Sequence, residues 1–186
     1  MIKLTAGKYK NKKLDTISQF VRPTSSIKRE AFFSIIESYA FKNSIDIYNK
    51  KIFLDLFAGI GSMGLEAISR GIDSAIFFEN ELEVIKVLKK NCQAICHQEQ
   101  YLIKNEDVLI SELNINFNNI SIIYIDPPYN RYNLNNLMTI LQNKISKKTI
   151  IGIESSIKDN FKIPSKLNLI KQKKYGKTKL SILTLF

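Results

Sequence analysis

Two kinds of apolar pattern alternate along most of the chain. Short continuous runs rich in isoleucine and phenylalanine are typical of buried strands, and stretches with apolar residues every three or four positions are typical of amphipathic helices. Strands are predicted at Ile52–Phe57, Ala75–Glu79, Tyr101–Ile103, Ile120–Ile125 and Thr149–Ile153. Helices are predicted at Met63–Arg70, Leu82–Ile95, Val108–Leu113 and Leu134–Ile145. This alternation indicates an α/β, Rossmann-like fold with a doubly wound and mostly parallel sheet.

The C-terminal stretch departs from that alternation. Two strand-like segments, Lys166–Tyr175 and Thr178–Phe186, flank the dipeptide Gly176-Lys177. Two strands around such a short turn predict an antiparallel hairpin. The hairpin would complete a sheet of seven strands.

The N-terminal stretch departs from it as well. Alternating apolar residues around a lysine-rich segment with Asn11 predict a small hairpin with a basic tip, because Asn tolerates positive φ. Pro23-Thr24-Ser25-Ser26 is a helix start signal. No Pro/Gly/Ser-rich linker follows. We therefore expect residues 1–45 to be an N-terminal extension packed on a main domain at residues 46–186.

The segment Phe53–Gly64 carries the first chemical motif. Gly59, Gly61 and Gly64 follow Gly-x-Gly-x-x-Gly spacing between a predicted strand and a predicted helix, a context that chance matches lack. The first two glycines let the backbone turn tightly and approach a ligand, and the third lets the helix pack on its strand. Glu79 ends the next predicted strand, where a carboxylate accepts hydrogen bonds from ribose hydroxyls. The motif predicts a nucleoside-containing cofactor.

Asp55 bears on which cofactor that is. It lies at the carboxyl end of the first predicted strand of the main domain, inside the glycine motif. A pyrophosphate would be repelled by a carboxylate there, whereas the ammonium and sulfonium of S-adenosylmethionine would be attracted. These residues favour S-adenosylmethionine over a dinucleotide, which stays the alternative.

A second motif, Asp126-Pro127-Pro128-Tyr129, follows the strand Ile120–Ile125. The prolines stiffen the turn and fix the direction of their carbonyls. Asp126 and the Pro127 carbonyl could accept hydrogen bonds from an exocyclic amino group and direct the nitrogen lone pair at a methyl donor. Tyr129 could stack on a base that has left its own stack. The motif indicates methylation of a base amino group.

Charge is distributed unevenly along the chain. Residues 1–30 contain eight basic and two acidic residues, and residues 158–186 contain eight basic residues and one acidic residue. Residues 31–157, between them, have a net charge of −2. The net charge of the whole chain is +11. Lysines concentrated at both ends of a near-neutral core favour a nucleic-acid partner over an anionic membrane.

The remaining composition excludes several other classes. The 186 residues suffice for one sizeable core and contain no apolar run long enough to span a membrane. The start of the chain lacks a signal-peptide pattern, so a cytoplasmic location is expected. Cys92 and Cys96 with His97 make a poor metal set, and we expect two ordinary reduced thiols.

Taken together, these motifs resemble the RsmD family of bacterial small-subunit rRNA guanine-N2 methyltransferases. Asp55–Gly64 resembles the cofactor motif of class I methyltransferases. Asp126–Tyr129 resembles the D/N-P-P-Y/F motif of those class I methyltransferases that methylate amino groups. Arg22-Pro23-Thr24 with Arg29–Phe33 resembles the N-terminal signature of the family. Further matches lie at Ala6-Gly7-Lys8, Lys13-Leu14, Gly64–Ala67, Ser69–Gly71 and Tyr175-Gly176. The sequence departs from the family at Asn11, at Ile27-Lys28, where the basic and apolar order is exchanged, and at Lys177.

The resemblance implies methyl transfer from S-adenosylmethionine to the exocyclic N2 of a guanine in small-subunit (16S) rRNA, without a metal. The residues expected at the reacting base are Asp126, Pro127 and Tyr129. The residues expected at the cofactor are Asp55, Phe57, Ala58, Gly59, Gly61, Gly64, Glu79, Asn80, Asp107 and Val108. The residues expected to bind RNA are Lys8, Lys10, Lys12, Lys13, Arg22, Lys28 and Arg29. The expected partner is small-subunit rRNA, free or within the assembling small subunit, bound by a monomer.

Three other functions remain open at this point. A DNA adenine-N6 or cytosine-N4 methyltransferase would carry both motifs but usually adds a target-recognition region, for which the chain has little room. A dinucleotide-dependent dehydrogenase would leave Asp126–Tyr129 unexplained. A non-catalytic RNA-binding module would explain the basic ends alone.

Overall fold

The computed structural model describes residues 2–17, 25–128, 134–159 and 161–186. Its strands are β1 (Ile2–Lys3), β2 (Lys13–Leu14), β3 (Ile52–Asp55), β4 (Ser74–Glu79), β5 (Tyr101–Asn105), β6 (Ile120–Ile125), β7 (Ile150–Ser156), β8 (Leu167–Tyr175) and β9 (Thr178–Leu185). Its helices are α1 (Ser26–Lys42), α2 (Ser62–Arg70), α3 (Leu82–Ile95) and α4 (Leu134–Lys144). A short 3₁₀ helix covers Gln98–Gln100.

Within these residues, seven strands form one sheet in the order β5-β4-β3-β6-β7-β9-β8. The first five are parallel to one another, whereas β9 is antiparallel to both β7 and β8. Two buried cores cover the two faces of the sheet, one including α1, α2 and α3 and the other α4. The expected fold class, a doubly wound sheet ending in an antiparallel hairpin, is confirmed.

The centre of the sheet shows why its strands are readily recognised in the sequence. Every residue of β6 is buried, because helices cover both faces. Parallel strands in this situation are continuous apolar runs and do not alternate with polar residues. The predicted bounds Ile120–Ile125 match the observed strand for the same reason.

The N-terminal hairpin and α1 share the core of the sheet. Strands β1 and β2 are antiparallel, and Asn11 has φ 68° in the turn that joins them. Ser25 caps α1 by accepting a hydrogen bond from the Lys28 backbone N–H. Phe32 of α1 packs edge-on against Tyr124, with ring centroids 5.0 Å apart. Gly152 lies beneath the Phe32 ring, where a Cβ would come within 2.3 Å of a ring atom.

One predicted element is wrong. Residues 108–113 form a turn and an irregular stretch in place of a helix. The Asp107 side chain accepts a hydrogen bond from the Leu109 N–H, and the Asp107 carbonyl accepts one from the Ser111 N–H, so one turn closes. Leu113 then adopts φ 48°, which ends any helical path.

Candidate active site

The candidate site lies at the point in the sheet where the order of the strands changes direction. Strand β3 sits between β4 and β6, and the chain leaves β3 toward one side of the sheet and returns later to the other. Ligands of such sheets bind in the crevice outside the carboxyl ends of the strands at this point. The carboxyl ends here bring together Asp55 from β3, Glu79 from β4 and Asp126 after β6.

The glycine loop leaves β3 with a backbone that only glycine adopts easily. Gly59 and Gly61 have φ of 53° and 85°. Gly64 lies in the first turn of α2, and a Cβ there would come within 2.3 Å of the Phe77 ring on β4. The first two glycines therefore shape the loop, and the third allows close packing of the helix on the sheet, as their spacing predicts.

The Asp55 carboxyl is strongly perturbed by its surroundings. It is 2% exposed, and burial raises its pKa to about 8, with the neighbouring Asp126 and Glu79 carboxylates acting in the same direction. Backbone hydrogen bonds from Gly64 and Phe57 oppose this shift. An acid in such a setting gains its charge most readily when a cation lies beside it.

Glu79 fixes the glycine loop from the next strand. Its Oε2 accepts a hydrogen bond from the Gly59 N–H at 2.9 Å, and its Oε1 accepts from the N–H groups of Asn80 and Glu81 at 3.0 Å each. An ionised carboxylate has about four lone-pair sites, so these three bonds leave acceptor capacity for a ligand. The half-buried side chain therefore joins the end of β4 to the glycine loop.

The other predicted cofactor residues surround the same crevice. The Asn80 amide lies 3.5 Å from an Asp107 carboxylate oxygen, which joins the ends of β4 and β5. Val108 is 3% exposed and packs in the core beside them. The Ala58 N–H donates to the Phe78 carbonyl at 2.9 Å, and Phe57 is half-buried. Of the ten predicted cofactor residues, Asp55 and Glu79 end β3 and β4, Gly64 lies in α2, and the other seven lie in the loops that follow β3, β4 and β5.

The second motif lies on the β6 side of the crevice. Asp126 is half-buried, Pro127 is buried and Pro128 is exposed. Asp126 is close enough to Asp55 to raise the pKa of that carboxyl. Tyr129 lies outside the described residues, as does Arg22 of the predicted RNA-binding set.

The predicted RNA-binding residues divide into two groups. Lys8, Lys10, Lys12 and Lys13 are exposed on the N-terminal hairpin. The Lys28 ammonium, only 17% exposed, forms an ion pair with the fully buried Glu154, which also accepts a hydrogen bond from the Tyr124 hydroxyl. Lys28 therefore points into the protein, and its neighbour Ile27 is 70% exposed.

The expectation for Arg29 as an RNA contact is corrected by its burial. Its side chain is 1% exposed, with Nε 3.1 Å from a Glu66 carboxylate oxygen, and one of its guanidinium N–H groups donates to the Lys3 carbonyl. Burial lowers the pKa of Arg29, while the Glu66 carboxylate opposes that shift. The arginine joins α1 to α2 and to the hairpin, so it is enclosed by protein.

Three connecting residues were missed by the sequence analysis. Glu66 on α2 accepts hydrogen bonds from the Thr5 and Ala6 N–H groups at 2.8 and 3.0 Å, in addition to its pair with Arg29. Asn91 on α3 accepts one from the Asp15 N–H at 2.8 Å and donates to the Ile60 carbonyl, within the glycine loop, at 3.0 Å. Glu154 binds Lys28. The available signal was the same for Glu66 and Glu154: an acid inside an otherwise apolar or small-residue element needs a partner.

Metal-binding clusters and membrane-spanning helices are both absent from the described residues. No group of three or more His, Cys, Asp and Glu side chains there could hold a metal ion. None of the helices in the described part is long and apolar enough to cross a bilayer. Both Cys92 and Cys96 are buried free thiols, and burial raises the pKa of each.

A sheet in this strand order, with a glycine loop at its switch point and Asp-Pro-Pro after the adjacent strand, is that of a class I methyltransferase. The RNA methyltransferase of Salinibacter ruber, solved with S-adenosyl-L-homocysteine, has the same fold, with a TM-score of 0.65 and 12% identity over 88% of this chain and 94% of its own. Residues 2–184 match the family model described as conserved hypothetical protein 95, and the chain belongs to that family.

The curated relatives agree with this assignment. An uncharacterized methylase of Rickettsia prowazekii is 30% identical over 98% of this chain and 97% of its own length. The ribosomal RNA small subunit methyltransferase D of Haemophilus influenzae is 27% identical over 94% of this chain and 89% of its own. The resemblance of the motifs to the RsmD family is thereby confirmed.

Proposed function

We propose that this chain transfers a methyl group from S-adenosylmethionine to the exocyclic N2 of a guanine in small-subunit (16S) rRNA. The observation that carries the proposal is the proximity of two carboxylates with different surroundings. Asp55 is buried beside the glycine loop, and Asp126 is half-buried after β6, yet they are close enough for Asp126 to raise the pKa of Asp55. The Asp55 carboxylate suits the cationic end of the methyl donor, and the Asp126 carboxylate suits the amino group that accepts the methyl.

The loops after β3, β4 and β5 fit the cofactor. Asp55 would face its positive charges, where an ionised carboxylate is otherwise disfavoured by burial. Glu79 keeps acceptor capacity for the ribose hydroxyls while it holds the Gly59 N–H. Asp107 and the Val108 backbone would meet the adenine edge. When bound, the cofactor would supply a methyl group bonded to a sulfonium. The methyl is readily transferred because the electron pair of the broken carbon–sulfur bond stays on sulfur.

Asp126 and Pro127 would hold the target base. An exocyclic guanine nitrogen is a weak nucleophile because its lone pair is delocalised into the ring. Hydrogen bonds to the Asp126 carboxylate and the Pro127 carbonyl would orient that lone pair. The Asp126 carboxylate would also favour the positive charge that develops on nitrogen and accept the proton that the methylated nitrogen loses. Tyr129 is proposed to stack on the base. Proximity and orientation then supply most of the rate, on the order of 7–11 kcal/mol in favourable cases.

The N-terminal hairpin is proposed to bind the rRNA through Lys8, Lys10, Lys12 and Lys13, with Arg22 nearby in the chain. All four lysines are exposed. We place the reaction in the cytoplasm, where rRNA is made, and assign it to a monomer acting on rRNA or on the assembling small subunit.

The test is methyl transfer to small-subunit rRNA from a strain that lacks the gene. Purified protein and labelled S-adenosylmethionine should label this rRNA once per molecule, and mass spectrometry of the nucleosides should find N2-methylguanosine. Label in adenine or cytosine would identify the amino-directed alternatives instead. Absence of label in every RNA and DNA substrate would reject the proposal.

A further inference from the structure

The β8–β9 turn lies at the same edge of the sheet as Asp126. Strand β9 runs antiparallel to β7, and β8 antiparallel to β9, so β8 runs in the direction of β6 and β7. The register pairs Ser156, at the carboxyl end of β7, with Thr178, and Thr178 in turn with Tyr175. The last hairpin of the chain therefore turns at the active-site edge, although its residues are far from Asp126 in sequence.

Three exposed lysines occupy this part of the edge. Lys174 is near the end of β8, Lys177 lies in the turn, and Lys158 follows β7. The Lys177 carbonyl accepts a hydrogen bond from the Ile157 N–H at 3.0 Å, which joins the turn to the residues after β7. We call Lys158, Lys174 and Lys177 the edge lysines. Within the described part of the chain, none of these three lysines forms an ion pair.

The acidic side chains near these lysines are engaged in other contacts. Glu154 is fully buried and pairs with Lys28. Asp159 accepts a hydrogen bond from the Ser156 N–H at 2.7 Å, and its own carbonyl accepts one from Lys179. The edge lysines thus form a positively charged surface that projects from the carboxyl side of the sheet.

The distance to the reacting base suits nucleotides a few positions away from the target. Strand β8 is three positions from β6 in the sheet order, and strands are spaced by about 4.8 Å, so the turn lies roughly 14 Å to the side of Asp126. Successive nucleotides of a stacked strand rise by about 3.4 Å, so this offset corresponds to about four nucleotides. The surface could meet phosphates flanking the target without reaching the target itself.

Protection of the sheet edge explains only part of this charge. Strand β8 is at the edge of the sheet, and lysines on such strands prevent pairing with other chains. Lys171 and Lys173, within β8, fit that purpose. Lys158 and Lys177 lie in turns outside the edge strand, where no ladder of free backbone groups needs protection.

We propose that the edge lysines form a second RNA-binding surface, which holds backbone phosphates on the side of the active site opposite to the glycine loop. This inference rests on the proposed function, because it needs an RNA substrate at Asp126. Its consequence is that the β8–β9 turn would hold RNA beside the target nucleotide, in addition to the RNA contacts proposed for the N-terminal hairpin.

The test compares two triple variants with equal change in charge. K158Q/K174Q/K177Q removes the edge lysines. The matched control, K147Q/K148Q/K166Q, removes exposed lysines that precede β7 and β8 and so lie at the opposite edge of the sheet. A third variant, K158R/K174R/K177R, keeps the charge at the edge.

RNA binding is measured at several salt concentrations for all four proteins. Each lost phosphate contact should lower the log–log salt slope by about 0.7–0.9, so the edge variant should lose about 2 units if all three lysines contribute. Its KM for rRNA should rise, with kcat and the cofactor Kd unchanged. The control and the arginine variant should keep the wild-type slope.

Two results would overturn the inference: a wild-type slope in the edge variant, or equal losses in the edge variant and its matched control. Methyl transfer by the wild-type protein is scored in the same experiment. If the wild-type protein binds RNA without methylating it, the proposed function fails, while the slopes still decide whether the edge lysines bind RNA.

Discussion

Replacement of Asp55 by Asn should stabilise the cofactor-free protein and weaken cofactor binding at the same time. The Asp55 carboxyl is 2% exposed, and burial and the neighbouring Asp126 and Glu79 carboxylates raise its pKa from 3.8 to about 8. Asn has nearly the shape of the protonated acid and keeps an oxygen for the backbone hydrogen bonds from Gly64 and Phe57. It lacks the negative charge that a cationic ligand requires.

The size of the effect follows from the linkage between protonation and folding. Because the pKa of the folded state lies above that of the unfolded chain, Asp55 contributes its full stability below pH ~4 and loses it as the pH rises to ~8. At about 1.36 kcal/mol per pKa unit, the free energy of unfolding is lower than at pH 4 by on the order of 4 kcal/mol at pH 7 and 6 kcal/mol above pH 8. Asn does not titrate, so D55N should exceed the wild type in stability by similar amounts.

Thermal unfolding between pH 4 and pH 9 measures this difference. A domain of this size shifts by roughly 2–4 °C per kcal/mol, so the Tm of D55N should exceed that of wild type by about 10 °C at pH 7 and match it near pH 4. D46N is the control: backbone hydrogen bonds lower the pKa of Asp46, so its variant should show no pH-dependent difference above pH 5. Calorimetry should show S-adenosylmethionine binding to D55N weakened about tenfold or more, by loss of a charged partner.

The refuting result is a constant Tm difference between D55N and wild type across this pH range. It would mean that Asp55 is ionised in the folded protein without a cofactor. Unchanged affinity of D55N for S-adenosylmethionine would separately exclude the carboxylate as the partner of the cationic tail.

Three further predictions concern the other parts of the site. Glu79→Ala should weaken cofactor binding by roughly 1.5–3 kcal/mol, because hydrogen bonds to a charged acceptor are lost; an unchanged dissociation constant in calorimetry would exclude the ribose assignment. Asp126→Ala should slow methyl transfer by on the order of 100-fold or more, the effect of removing one positioned polar group, with a much smaller change in cofactor affinity; retained activity would contradict the role of the second motif. Joint neutralisation of four hairpin lysines should lower the salt slope of RNA binding by about 0.7–0.9 per lost contact and leave cofactor binding unchanged, and an unaltered slope would remove the hairpin from the RNA surface. Those lysines are Lys8, Lys10, Lys12 and Lys13.

The elements that could be predicted from sequence are those whose pattern is dominated by burial. Helix α3, Leu82–Ile95, has its predicted bounds because its apolar face is regular and one-sided. Strand β6 also has its predicted bounds, because all of its residues are buried. The region after Asp107 misled the same reasoning: Val108 and Leu113 are both buried, but a side-chain cap and a positive φ at Leu113 make it an irregular turn.

The cofactor loop was predictable because its chemistry is local in the sequence. The glycine spacing and Asp55 lie within one strand–turn–helix unit, and Glu79 ends the next strand. The directions of Lys28 and Arg29 were not predictable in this way. Their partners, Glu154 and Glu66, are distant along the chain and meet them only when α1 packs on the sheet. The resemblance to the family implied that both cations bind RNA, and so placed them at the surface, the usual place for unpaired lysine and arginine.

Buried contacts with α2 and with Asn91 fix the position of the N-terminal hairpin relative to the cofactor loop. Gly7 of the hairpin approaches α2 so closely that a Cβ would lie 1.7 Å from the Ser69 carbonyl oxygen, and Glu66 binds the same hairpin from the preceding turn. Helix α2 begins at the glycine loop, and Asn91 joins that loop to Asp15 beyond the hairpin. Movement of the hairpin would therefore break buried polar contacts, each costly to leave unpaired. The distance between the hairpin lysines and the glycine loop is fixed by the core, so RNA bound by this hairpin is held in a defined position relative to the cofactor loop.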